Sequence, residues 1–311
     1  MRVKQWASRK MGWRVTAVMA AVLAIAGAGI MVPGQAFAAG STSPAAAPAA
    51  SPMAGCTAQV YFIGARGSGQ PYDTRGPFHG VGPQVNKAIT VMEGYLHQKK
   101  ITYQTLPLSY PAVSTNVLNP SLLDFINWSD YQRNHLGKFI GSINTGLKQA
   151  TGDAELVRAL CPHSKLILVG FSQGAMVMHQ TELWLKAHAP TAFRAIVGTV
   201  LIADGNRQGN TKAHQFGSSP ANGSGIQTWV TNTLRRGPHF ADVPLPASTA
   251  NICNNSDLVC DTSLGALRHF SNSASIHANS YAKCSANNKC TYYPALINGA
   301  TWVGKLVARK L

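Results

Sequence analysis

The stretch KLILVGFSQGAMVMHQ, residues 165–180, decides how the rest of the chain is read. Lys165–Gly170 is short, apolar and rich in branched side chains, the composition of a strand buried on both faces. Gly170 and Gly174 then bracket Ser172, and a helical pattern running from Ala175 to His188 follows at once. A strand that turns abruptly into a helix around a serine lifts the hydroxyl above the strand ends, and glycine on either side allows so tight a turn. Working outward, Gln59–Ala65, Ile101–Leu108 and Val197–Ala203 read as further strands. Pro83–Lys99, Asp130–Ala150 and Pro294–Lys310 read as helices. This alternation predicts an α/β architecture, a mainly parallel sheet with helices on both faces. Asp204–Asn251 breaks the rhythm: it is rich in Gly, Ser, Asn and Pro, with Trp229, Leu234 and Phe240 scattered through it, and reads as one long structureless insertion. No internal repeat is found.

Composition bounds the reading. Of 311 residues, 45% are apolar and 12% charged, so most of the chain can bury a core. The net charge of +16 is uneven. Arg2, Lys4, Arg9, Lys10 and Arg14 precede the apolar run Val15–Val32, and Ala36-Phe37-Ala38 supplies the small residues a signal peptidase accepts. Residues 1–38 are therefore expected to be a cleaved signal peptide, rather than a retained anchor. Removing those five cations leaves +11. Arg9-Lys10 is not a twin-arginine pair. Residues 39–55, Pro- and Ala-rich, read as a flexible tether, and 56–311 as the folded domain. In an exported chain the six cysteines, all between Cys56 and Cys290, predict three disulfides. No CxxC or HExxH occurs, which excludes the common zinc and thioredoxin motifs.

The chemistry follows from Ser172. A serine hydroxyl needs a base, the base needs an orienting carboxylate, and in a strand–Ser–helix setting the chain order is Ser, acid, His. Past residue 203 the acids are Asp204, Asp242, Asp257 and Asp261. Asp257 sits inside Cys253–Cys260, where a small disulfide loop would hold it rigidly, whereas Asp261 lies outside and is expected to be solvated. Downstream stand His269 and His277. Arg268 would oppose an imidazolium at His269, so His277, expected on a presented loop, is preferred. The other eight histidines read as surface or satisfied structural residues. Oxyanion donors are expected at the Gln173 N–H and at Ser68, in the Gly-rich loop after the first strand. That loop lacks the endings and spacings of a nucleotide cradle.

These pieces resemble the cutinase family of secreted serine esterases: Cys56 followed by VYFIGARGS, Cys161 eleven residues before Ser172, GFSQGA, and Cys253-x-x-x-Asp257-x-x-Cys260. The stretch LVGFSQGA…GTVLIADG is most similar to the larger actinobacterial members. The resemblance implies a three-layer α/β-hydrolase fold with about five parallel strands and no separate cap domain. By position it implies Ser172 as nucleophile, Asp257 as acid, His277 as base, and Ser68 with Gln173 around the oxyanion. It implies bridges Cys56–Cys161 and Cys253–Cys260, leaving Cys284 and Cys290 to pair. Three departures stand out. Ser256 occupies the position before the acid where members commonly have glycine. Tyr281 follows His277 by four residues rather than three. The insertion at about 204–251 is longer than in compact members and reads either as a partial lid or as a surface loop.

The expected function is hydrolysis of carboxylic esters through an acyl-enzyme, with no metal and no organic cofactor. The rivals are an envelope-lipid acyltransferase or thioesterase on the same fold, and a cationic envelope-binding protein. The expected partner is an ester or lipid substrate, polymeric or at an interface, met by a monomer outside the cell, with peripheral contact to anionic envelope surfaces. The basic residues are scattered, which argues against nucleic acid.

Overall fold

The computed structural model describes residues 56–115, 137–209, 211–228, 245–263, 266 and 270–311. The leader, the tether, His269, Trp229, Leu234, Phe240 and Asp242 lie outside the described residues. Continuous apolar runs become the middle of a six-stranded sheet in the order β2-β1-β3-β4-β6-β5, every pairing parallel. The strands are β1 (Val60–Ala65), β2 (Tyr103–Pro107), β3 (Lys165–Phe171), β4 (Ile196–Ile202), β5 (His214–Phe216) and β6 (Thr249–Ile252). Period-two alternation splits β1 between two cores: Val60 and Phe62 face one layer, Tyr61 and Ile63 the other. The first layer is covered by α1 (Pro83–Gln98) and by α6 (Pro294–Lys310), the C-terminal helix. The second is covered by α2 (Gly137–Leu160), α3 (Gln173–His188) and the short α4 (Pro190–Ala195). Between β6 and α6 come α5 (Phe270–Asn279) and a hairpin of β7 (Ala282–Cys284) with β8 (Cys290–Tyr292). This is an α/β-hydrolase fold, and both cores are built wholly from residues 58–307.

The sheet exceeds the expected five strands because β5 and β6 lie within the stretch read as structureless. At three and four residues they are too short to show a period, and they are held by pairing, β6 with β4 and β5 with β6. Helix α2, described from Gly137, runs on to Leu160, past the expected end at Ala150, and the expected start at Asp130 lies outside the described residues. The cysteines pair as Cys56–Cys161, Cys253–Cys260 and Cys284–Cys290. The first ties the chain entering β1 to the turn before β3 across a separation of 105 residues, worth on the order of 4–5 kcal/mol on the chain-entropy account. No helix among the described residues is long and apolar enough to cross a membrane.

Candidate active site

Ser172 ends β3 and opens α3 with φ 53° and ψ −119°, a left-handed conformation costing a non-glycine residue about 1–3 kcal/mol. The neighbouring glycines make the turn possible by close approach. A β-carbon on Gly170 would strike the Gly174 carbonyl, and one on Gly174 would strike the carbonyl of Ala65. The backbone is pinned from both sides, since the Ser172 N–H donates to Ile202 O at 2.8 Å and the Ser172 carbonyl accepts from Met176 N–H at 3.1 Å.

The structure brings Ser172, His277 and Asp257 together. Ser172 Oγ lies 2.9 Å from His277 Nε2, and His277 Nδ1 lies 3.0 Å from each Asp257 oxygen. Because the carboxylate only accepts, the proton on the ring sits at Nδ1 and leaves Nε2 to accept from the serine hydroxyl. The His277 ring stacks on Phe171, centroids 5.3 Å apart and planes 15° apart, which fixes its orientation. Asp257 is fully buried and the His277 side chain is 16% exposed, so the pair opens to solvent through the histidine.

Asp257 is held by more than the expected disulfide. Its carboxylate accepts from Val259 N–H at 3.0 Å and from the Tyr281 hydroxyl at 2.8 Å. The Tyr281 oxygen in turn accepts from Asn254 N–H at 3.0 Å. Ser256, in the position where the resemblance expects glycine, adopts φ 67°, so a residue with a β-carbon sits in the conformation that glycine adopts freely. Its N–H donates to Asp261. Asp261 is fully buried, contrary to the expectation that it is solvated, because it caps this turn by accepting from Ser256 N–H at 3.0 Å and from Ser263 N–H at 3.1 Å. His277 stands on α5, not on a loop. That helix is tied to the acid loop where Leu258 N–H donates to Ser273 Oγ at 2.8 Å.

The loop after β1 presents Ser68. Neither its N–H nor its Oγ has a hydrogen-bond partner among the described residues, although the oxygen is buried. Among the described residues the Gln173 N–H, at the start of α3, has no hydrogen-bond partner. The loop is shaped by Arg66, almost completely buried, which donates from Nε to Gln70 O at 2.7 Å, from Nη1 to Leu108 O at 2.9 Å and from Nη2 to Tyr110 O. The Tyr110 hydroxyl donates back to Arg66 O. Gly67 packs against the Phe171 ring with no room for a side chain. On the acid side Arg207, also buried, donates to Gln215, Ser219, Pro220 and Cys260. Burial lowers the pKa of both guanidiniums. Sequence reading singled out neither arginine, because nothing in a sequence distinguishes a cation bonded to carbonyls inside the fold from one in water.

Behind α3 lies a second polar group. His179 Nδ1 is 2.6 Å from Asp204 Oδ2 and both side chains are fully buried, so this histidine is a structural one. Glu182, one turn on, is also fully buried and accepts from Thr249 at 3.3 Å. Burial pushes the Glu182 carboxyl up to about 7, with His179 and Thr249 pulling the other way. Among the described residues no three His, Cys, Asp or Glu side chains converge as metal ligands.

A family model described as Cutinase matches residues 56–285. No curated relative matches the chain. Similar solved structures include a cutinase-like protein from Cryptococcus sp., 17% identical over 83% of this chain and 98% of that one, with a TM-score of 0.44. Another is Trichoderma reesei cutinase with a phosphonate inhibitor, 21% identical over 80% and 77%, with a TM-score of 0.40. A third is the catalytic core of acetyl xylan esterase from Trichoderma reesei, 17% identical over 70% and 93%, with a TM-score of 0.43. At such identities and scores these likenesses assign neither residues nor substrate.

Proposed function

The chain belongs to the cutinase family and is a carboxylic ester hydrolase; we propose that it is a secreted serine esterase working through an acyl-enzyme on Ser172. One observation carries this reading, the unbroken relay of Ser172 Oγ, His277 Nε2 at 2.9 Å and Asp257 at 3.0 Å. Ser172 Oγ attacks the ester carbonyl and its proton passes to His277 Nε2. Asp257 steadies the imidazolium, which then returns the proton to the departing alkoxide. Water, deprotonated by His277, releases the acid and restores Ser172. The unpartnered donors of Ser68 and Gln173 suit the developing oxyanion, which would supply the hydrogen bonds they lack. The opening of the relay through a part-exposed histidine supports access by an ester from solvent. Secretion rests on the leader reading and is supported by three disulfides, which persist in oxidising compartments.

The test is hydrolysis of p-nitrophenyl esters from acetate to palmitate by the chain from residue 39. Ser172→Ala, folded by circular dichroism, is expected to lose essentially all turnover, and the preferred acyl length then separates short-ester from lipase-like use. Turnover retained in Ser172→Ala would overturn the assignment.

A further inference from the structure

Parallel strands flanked by returning helices give a molecule two unlike ends. Ser172, Asp257 and the Ser68 loop lie at the strands' C-terminal ends. The chain returns to the strand starts through residues 97–103, 156–165, 189–196, 245–249 and 305–311, with Glu93 and Glu155 one to two turns back on α1 and α2 as the nearest acids along these stretches. They carry Lys99 and Lys100 after α1, Lys165 at the head of β3, and Lys305, Arg309 and Lys310 along the end of α6. The described loops of the catalytic end, by contrast, hold Asp73, Asp204, Asp257 and Asp261 beside Arg66, Arg75 and Arg207. Among the described loops, the net positive charge therefore lies opposite the site.

Cations in the last turn of a helix complement its dipole, which accounts for Arg309 and Lys310. It does not account for Lys99 and Lys100 beyond α1 or for Lys165 on a strand. Nor does it explain the apolar side chains at the same end: Leu160 is 51% exposed and Leu311 46%. Between the ends of α1 and α6 lies a cleft of about 190 Å³, where Lys99, Lys305 and Arg309 surround Tyr95. The Lys305 ammonium lies 5.9 Å from the centre of that ring. Cys56, where the preceding chain joins the domain, is bridged to Cys161 at this same end.

We propose that this end is a docking face for a bilayer containing anionic lipids. The cations meet the lipid phosphates, and Leu160 and Leu311 enter the interface beside them. An acidic polymer would match the charge but would leave the leucines in water, so the bilayer is the better fit. Bound this way, the molecule holds Ser172 roughly 20 Å or more from the membrane, the length of a strand of about seven residues, and opens it to the aqueous side. The proposal does not depend on the catalytic reading.

Flotation of the chain from residue 39 with phosphatidylcholine vesicles, with and without about one-third phosphatidylglycerol, tests it. Binding is expected only to the anionic vesicles and is expected to fall away in about 0.5 M salt. Lys305→Gln/Arg309→Gln/Lys310→Gln should weaken partitioning by about a hundredfold while leaving p-nitrophenyl acetate turnover unchanged. Leu160→Ser/Leu311→Ser should weaken it at unchanged net charge, and bound enzyme should turn over the soluble ester as fast as free enzyme. Equal flotation of the triple variant and the parent, no preference for anionic lipid, or retention on an acidic polysaccharide resin without flotation would each overturn the proposal. Loss of ester turnover with vesicle binding intact would instead strike the catalytic reading alone.

Discussion

Two histidine–aspartate pairs lie behind and beside Ser172, and side-chain chemistry alone does not tell them apart. In one, His179 meets Asp204 at 2.6 Å with both side chains sealed from solvent. In the other, His277 meets Asp257 at 3.0 Å, with the histidine 16% exposed and its second nitrogen 2.9 Å from a serine hydroxyl. The sealed pair joins α3 to the end of β4 away from solvent. The open pair can pass a proton outward. A carboxylate–imidazole contact thus serves as a structural brace or a proton relay according to its exposure.

Breaking each pair should give opposite phenotypes. His277→Ala is expected to cut kcat by about 10⁴-fold or more with the fold intact, measured on a soluble ester beside circular dichroism. Asp204→Ala strips an acceptor from both His179 and the Asn206 N–H, which donates to Asp204 at 2.9 Å. It should cost on the order of 2–4 kcal/mol in denaturant unfolding while the folded fraction keeps its turnover within a few-fold. A folded but inactive Asp204→Ala protein would erase the distinction.

The parts of this arrangement that were legible in the sequence are those governed by period and by chain order. β1, β3 and β4 are buried runs of six or seven residues, long enough to declare themselves, and α1, α3 and α6 carry full helical periods. Ser172, Asp257 and His277 could be named because a strand–Ser–helix turn constrains what must follow it. The environment of each group was not legible. Asp261 is buried because the turn at Ser256 folds its N–H onto that carboxylate, an event of backbone geometry. His277 lies on a helix because α5 packs on the acid loop through Ser273, although its small polar sequence reads as a loop. Arg66, Arg207 and the His179–Asp204 brace owe their roles to carbonyls and carboxylates brought from distant strands.

Glu182 sharpens the comparison from the sealed side. Burial raises its carboxyl from 4.5 to about 7, so the folded protein holds a proton there that the unfolded chain releases. Its contribution to stability is complete below about pH 4.5 and is lost as pH rises through 7. Glu182→Gln should match the parent in thermal unfolding at pH 4.5 and exceed it at pH 8, by on the order of 3 kcal/mol at most. Asp153, raised to about 6 by burial, has the same sign and leaves a residual slope in the variant. Parallel pH profiles for the two proteins would show that the sealed side carries no such proton.

The smallest expected effect comes from the open side, at Tyr281. Its fully buried hydroxyl donates to Asp257 at 2.8 Å and accepts from Asn254 N–H, and its ring meets Phe171 edge-on at 6.1 Å. Tyr281→Phe keeps the ring and removes only the hydroxyl. Asp257 then retains Val259 N–H and His277 as donors but loses the contact that holds one of its oxygens, while Asn254 N–H loses its acceptor. A positioning residue of this kind acts on the reacting state, so kcat should fall about three- to tenfold with KM unchanged. Stability should fall by about 1–2 kcal/mol. Unaltered kcat in a destabilised protein would make Tyr281 a brace like His179, and the relay would then owe its geometry to the Cys253–Cys260 loop and Phe171 alone.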